Sequence, residues 1–83
     1  MEDAFVLIRV QQDPSHLDPE FMNSIKEELA KIEGVKEVKG VFGIYDFVAI
    51  VHTETTEELG RLVTKTMKKI KGVVQTDTMI VGF

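Results

Sequence analysis

Two stretches decide how this chain folds: Ala4–Val10, "AFVLIRV", and Asp46–His52, "DFVAIVH". Each is rich in β-branched and aromatic residues and apolar at nearly every position. A strand with one wet face alternates apolar with polar. A run without that alternation is buried on both faces and lies inside a sheet. Both stretches therefore read as central strands. A helical pattern follows each, and each pattern ends in nearly the same five residues, "KIEGV" at Lys31–Val35 and "KIKGV" at Lys69–Val73. The chain reads as β-α-β twice.

The intervening segments fit that plan. Asp18-Pro19 looks like an N-cap followed by proline at the first helical position. Phe21, Ile25, Leu29 and Ile32 then share one helical face, and Gly34 stops the helix. Val35–Val41 is β-compatible but carries lysines and a glutamate, which suits an edge strand because charge blocks unwanted pairing. Gly43 makes a turn, and Phe47–Val51 is the second apolar strand. Thr55 to Glu58 has the spacing of a capping box. Leu59, Leu62, Val63, Met67 and Ile70 line a second helix that Gly72 ends. Val73–Val81 closes the sheet with a polar middle, Gln75-Thr76-Asp77-Thr78. The expected fold class is α+β: ferredoxin-like βαββαβ, a four-stranded antiparallel sheet with two helices on one face, of the dimeric α/β-barrel type. Phe5 and Leu7 would point one way and Val6 and Ile8 the other. Two helices cover one face, so the second apolar face marks an interface, most economically with a second copy.

Composition narrows the functions. The chain is 83 residues long, one domain, which buries a limited fraction of its surface. With no cysteine, disulfides and zinc-thiolate sites are excluded, and two distant histidines argue against a structural metal. No cofactor is indicated. Oligomerisation is then the remaining source of extra burial. Fourteen acidic against ten basic side chains argue against direct nucleic-acid binding, which needs a basic surface. The cluster Lys65, Lys68, Lys69 and Lys71 is better read as cations at a helix C-terminus. No apolar run reaches the roughly 18–20 residues of a membrane span. The acidic start, Met1-Glu2-Asp3, is no signal peptide, and the expected compartment is cytoplasmic.

Candidate chemistry concentrates in two places. Tyr45-Asp46 stands at the mouth of an apolar strand, where a carboxylate is costly unless paired or hydrogen-bonded. Asp46 would either accept from backbone N–H groups or bind a ligand ammonium. Thr76 and Thr78 would project on one face of the last strand, as a polar edge or as hydrogen-bond donors to a ligand carboxylate. His52 ends a strand and is more often a partly buried residue than a general base. His16 lies between Asp13 and Asp18, a spacing that matches no known ligand pattern and reads as a solvated loop.

These segments, in β-α-β-β-α-β order, resemble the effector-binding RAM domain of the Lrp/AsnC feast/famine regulators. "VKGVFGIYDF" (Val38–Phe47) resembles the family's loop pattern. "EELGRLVTKTMKKIKGV" resembles its second helix, "VVQTDTMIV" its closing strand with paired threonines, and "AFVLIRV" its first strand. Ile44 and Phe42 depart from the polar residues many relatives carry there. The resemblance implies a stand-alone RAM domain over residues 1–83, without a helix-turn-helix domain. It implies a non-enzymatic, amino-acid-binding module for transcription regulation. Its homodimers would assemble into a ring, an octamer or decamer, with full-length Lrp/AsnC-type regulators as partners. Carried over, the ligand-binding residues are Phe42, Gly43, Ile44, Tyr45, Asp46, Thr76 and Thr78. Asp46 would face the ammonium, and Gly43 would let backbone N–H groups approach the carboxylate. Two alternatives share the element order: an ACT-like regulatory domain, and a small dimeric α/β-barrel enzyme using His52 or Tyr45. The region after the first strand, Gln11-Gln12-Asp13-Pro14, lacks the glycines that the ACT site wants.

Overall fold

The computed structural model describes residues 2–11 and 18–82. The loop over Asp13, Pro14, Ser15 and His16, and with it the reading of His16, lies outside the described residues. Strand β1 spans Glu2–Val10, helix α1 Pro19–Ala30, β2 Val35–Gly40, β3 Phe47–Thr53 and β4 Val73–Ile80. Helix α2, Thr56–Arg61, continues as a π-helical turn, Leu62–Thr66, and a 3-10 turn, Met67–Lys69. The sheet is antiparallel throughout, in the order β2-β3-β1-β4. The two apolar runs are its central strands and the two charged ones its edges, as their composition requires.

Alternation sorts the side chains. Ala4, Val6, Ile8 and Val10 are buried on one face of β1, with Phe47, Ala49 and Val51 beside them on β3. Ile25 and Leu29 of α1 close over them, together with Leu59, Leu62, Val63 and Met67 of the second helical segment. The opposite face has no helix. There the register pairs Phe5 with Ile50 and Met79, and Leu7 with Val48. Phe5 keeps 42% of its surface exposed and Met79 52%, so an apolar layer lies bare.

The helix ends explain the internal echo. Asp18 caps α1, its side chain accepting from Glu20 N–H at 2.9 Å, and Pro19 occupies the first turn. At the other end Ile32 N–H bonds the Leu29 carbonyl and Val35 N–H bonds the Ile32 carbonyl. The second half repeats this pattern, Ile70 to Met67 and Val73 to Ile70. Gly34 and Gly72 follow with φ of 99° and 102°. A Cβ on Gly72 would meet Phe21 Cζ at 2.8 Å, so backbone conformation and packing both demand glycine there.

The second helix departs from expectation. Its apolar spacing predicts a regular helix up to Gly72, and the expected face is buried, but the hydrogen bonding changes midway. Thr64 Oγ1 donates to the Gly60 carbonyl at 2.7 Å, the acceptor that an α-helix would reserve for the Thr64 N–H. The backbone widens, and Met67 N–H reaches back to the Leu62 and Val63 carbonyls. Thr55 is the N-cap, accepting from Glu58 N–H at 3.1 Å. The Glu58 carboxylate, however, accepts from Glu54 N–H rather than from Thr55, so the capping box is shifted by one residue. Among the described residues no helix is long and apolar enough to cross a membrane.

Candidate functional site

The β2–β3 connection is clamped at one end and bare at the other. At its β3 end Asp46 N–H donates to the Ile8 carbonyl at 2.9 Å, and Val41 N–H donates to the Asp46 carbonyl at 2.9 Å. The Asp46 side chain continues the ladder: its Oδ2 accepts from Val10 N–H at 2.9 Å. Asp46 therefore satisfies a backbone N–H of the neighbouring central strand. At the tip, Gly43 has φ 141°, while Phe42 is fully exposed and Ile44 is 73% exposed.

Tyr45 fixes the loop from the open face of the sheet. Its hydroxyl donates to Asp77 Oδ2 on β4. Gln75 Nε2 donates to the same oxygen at 2.9 Å, and Arg9 Nη1 donates to Gln75 Oε1 at 3.2 Å. The hydrogen bond to the Asp77 carboxylate, followed by burial, pushes the Tyr45 phenol above its ordinary value; the nearby Arg9 guanidinium opposes the shift. Tyr45 is thus held as a hydrogen-bond donor to Asp77.

Thr76 and Thr78 do share a face. They lie opposite Ile8 and Val6 in the register, on the helix side of β4. The Thr76 hydroxyl is buried without a hydrogen-bond partner. Thr76 and Asp46 flank Ile8 from opposite sides, whereas Thr78 sits two residues further along. It is Asp77, between the threonines, that touches the loop. Sequence reading missed Asp77, Gln75 and Arg9 as a group. Their meeting depends on the register of β1 with β4, although the alternation of Gln75 and Asp77 already put both on one face.

Sequence reading also missed α1. A groove of about 300 Å³ separates that helix from the loop, lined by Met22, Asn23, Lys26, Val41, Phe42 and Asp46 among others. The signal was present in helical spacing: Met22 and Lys26 are four residues apart, beside the buried stripe of Ile25 and Leu29.

A larger groove, about 770 Å³, lies between the helix-end Gly34, the close of β3 and the second helical segment, with His52 on its border. His52 Nδ1 pairs with Asp3 Oδ1 at 2.6 Å, across the β1–β3 register. The space between sheet and helices, where a barrel-type enzyme would hold substrate, is filled: Ile25, Leu29 and Met67 are each 1% exposed or less. Among the described residues no cluster of three or more acidic or histidine side chains is placed to hold a metal ion.

A small antiparallel sheet with two helices on one face and a loop presented beside an edge strand define a ferredoxin-like α+β domain. The chain belongs to the Lrp/AsnC ligand binding domain family, whose model matches residues 3–82. It is 42% identical over 77 residues to an uncharacterised HTH-type transcriptional regulator of Pyrococcus furiosus, covering 93% of this chain and 49% of that protein. The chain thus spans about half the length of the curated relatives it matches. A protein of Thermus thermophilus has a crystal structure that is similar, with a TM-score of 0.84 at 34% identity, over 100% of this chain and 95% of that one. A transcriptional regulator of Neisseria meningitidis, solved as a complex with L-Met, shares the fold, with a TM-score of 0.81 at 13% identity, over 99% of this chain and 50% of its own.

Proposed function

We propose that the domain binds a free amino acid at the β2–β3 loop, assembles through its open sheet face into dimers and then rings of dimers, and modulates transcription through Lrp/AsnC-type partner regulators. The observation that carries this is the loop itself, locked at Tyr45 and Asp46 while Phe42 and Ile44 are held out in solvent. A rigid loop with an apolar tip is suited to be covered by a neighbouring subunit, and a ligand trapped there links binding to assembly by mass action. The L-Met bound to the Neisseria regulator supports an amino acid as the ligand class. Net charge of −4 supports action through partners rather than through DNA. Asp46 is the residue expected to meet the ligand ammonium, with Gly43 leaving backbone N–H groups accessible and Thr76 and Thr78 at the far side.

Titrating the protein calorimetrically with each of the twenty amino acids, with solution mass recorded in parallel, tests the reading. Saturable binding of one ligand per subunit with a change in mass is the expected result. No binding in an assembly of constant size would remove it. Asp46→Asn is the informative variant, because an amide oxygen still accepts from Val10 N–H while the charge is lost. Affinity should fall about tenfold or more, the scale of a charge-assisted hydrogen bond.

A further inference from the structure

The larger groove, beside the close of β3, gathers cations that the rest of the fold leaves unused. Lys36 joins its lining from β2, and Arg61 and Lys65, four residues apart, join it from the second helical segment. Lys36 and Lys65 are exposed, and among the described residues neither takes part in an ion pair. Arg61 pairs with Glu57 at 3.4 Å, with both side chains exposed, and Glu57 does not line the groove. The surrounding sequence strengthens the positive field. Leu59–Thr76 holds Arg61, Lys65, Lys68, Lys69 and Lys71 and not one carboxylate, although the whole chain carries a net charge of −4. We propose that this groove is a second ligand site, separate from the β2–β3 loop, and that it takes a nucleotide, with the phosphates on Lys36, Arg61 and Lys65.

The lining selects that class of ligand. The Arg61 guanidinium offers a planar fork that matches phosphate oxygens, and the two lysines add compact charges. A volume of about 770 Å³ lies within the range of small-molecule sites and leaves room for a sugar and a base beside the phosphates. Ile32, Val35 and Leu62 give the base an apolar surface. Gly34 keeps that surface clear: a Cβ there would stand 3.0 Å from Leu62 Cδ1 and 3.3 Å from the His52 carbonyl oxygen. Glu33, Glu54 and Glu58 share the lining, and among the described residues none of them pairs with the three cations. A bare phosphate would give these carboxylates nothing to bind. A nucleotide does, because a carboxylate accepts from ribose hydroxyls and base amino groups. Glu58 already accepts from Glu54 N–H, which leaves Glu33 and the Glu54 side chain for that role. The π-helical turn, Leu62–Thr66, contributes Leu62, Lys65 and Thr66 to the groove, and turns of this kind recur at functional sites.

The test titrates the full chain calorimetrically with ADP and with adenosine, which keeps the base and sugar but has no phosphate. Salt is held at about 0.15 M, where exposed charges more than about 8 Å apart are largely screened. Wild type, Lys65→Met and Lys69→Met are compared, because Lys69 carries the same charge on the same segment without lining the groove. Methionine has a helix propensity close to that of lysine, and unchanged melting midpoints verify the folds. The wild type should saturate with one ADP per subunit and bind it about tenfold or more tightly than adenosine, the scale of one charge-assisted hydrogen bond. Lys65→Met should bind ADP about tenfold less tightly and adenosine as before, and Lys69→Met should match the wild type. Equal weakening in both variants means diffuse attraction to a cationic surface and overturns the site. A wild type that binds ADP and adenosine alike overturns the phosphate assignment. Absence of saturable ADP binding overturns the proposal and leaves the amino-acid reading standing.

Discussion

Asp46 shows how one side chain serves the fold while standing at a site. Its carboxylate takes the N–H of Val10 on the neighbouring strand. Asp46→Ala should therefore cost about 1–3 kcal/mol in chemical denaturation, the penalty of an unsatisfied N–H, whereas Asp46→Asn should cost under about 1 kcal/mol. Tyr45 permits a pH test. Its phenol is raised in the folded protein, so the contribution of the Tyr45–Asp77 bond is fully present below pH 10 and fades as pH climbs through the folded value. Melting midpoints of wild type and Tyr45→Phe should differ at pH 8 and converge above pH 10. The chain's single tyrosine makes the accompanying absorbance titration unambiguous. A difference that persists unchanged into alkali would mean that it does not come from the protonated Tyr45–Asp77 bond. Sequence alone identified Asp46 and Tyr45 as residues needing partners, because carboxylates and phenols are costly beside apolar strands. It did not identify those partners, Val10 N–H and Asp77, because both come from strands distant in sequence.

At the scale of elements, strands and caps were legible because their causes are local: unbroken apolar runs, Asp-Pro and Thr at helix starts, glycine at helix ends. What local pattern missed was the widening of the second helix, where a hydroxyl competes with the backbone at Gly60. Two glycine substitutions separate local freedom from packing. Gly72→Ala places a Cβ against Phe21 in a backbone conformation alanine avoids, and should destabilise by about 1–3 kcal/mol. Gly60→Ala meets open space within a helix and should stabilise by about 0.5–1 kcal/mol. Urea midpoints that move the same way for both would contradict this account.

At the scale of the whole molecule, the bare sheet face is the dominant feature. Phe5, Leu7, Val48, Ile50 and Met79 form a layer that helices leave uncovered. It was legible as soon as β1 and β3 lacked alternation, since a strand apolar on both sides needs two covers. Phe5→Glu should leave the far-ultraviolet circular dichroism intact, because Phe5 lies outside the helix-covered core, and should shift sedimentation toward the monomer. An assembly unaffected by this charge would place its contact elsewhere.

The bond from Val81 N–H to the Asp3 carbonyl brings the described ends of the chain side by side, as neighbours on β1 and β4. The gap between those ends stands where the second β-α-β half would rejoin the first, just as the β2–β3 loop joins the first half to the second. The molecule can therefore be rewired: a short link from β4 back to β1, with new ends opened at Gly43, preserves every strand pairing. Such a circular permutant would retain the sheet face and lose the continuity of the loop, so that the proposed self-association and the proposed ligand capture could be measured apart.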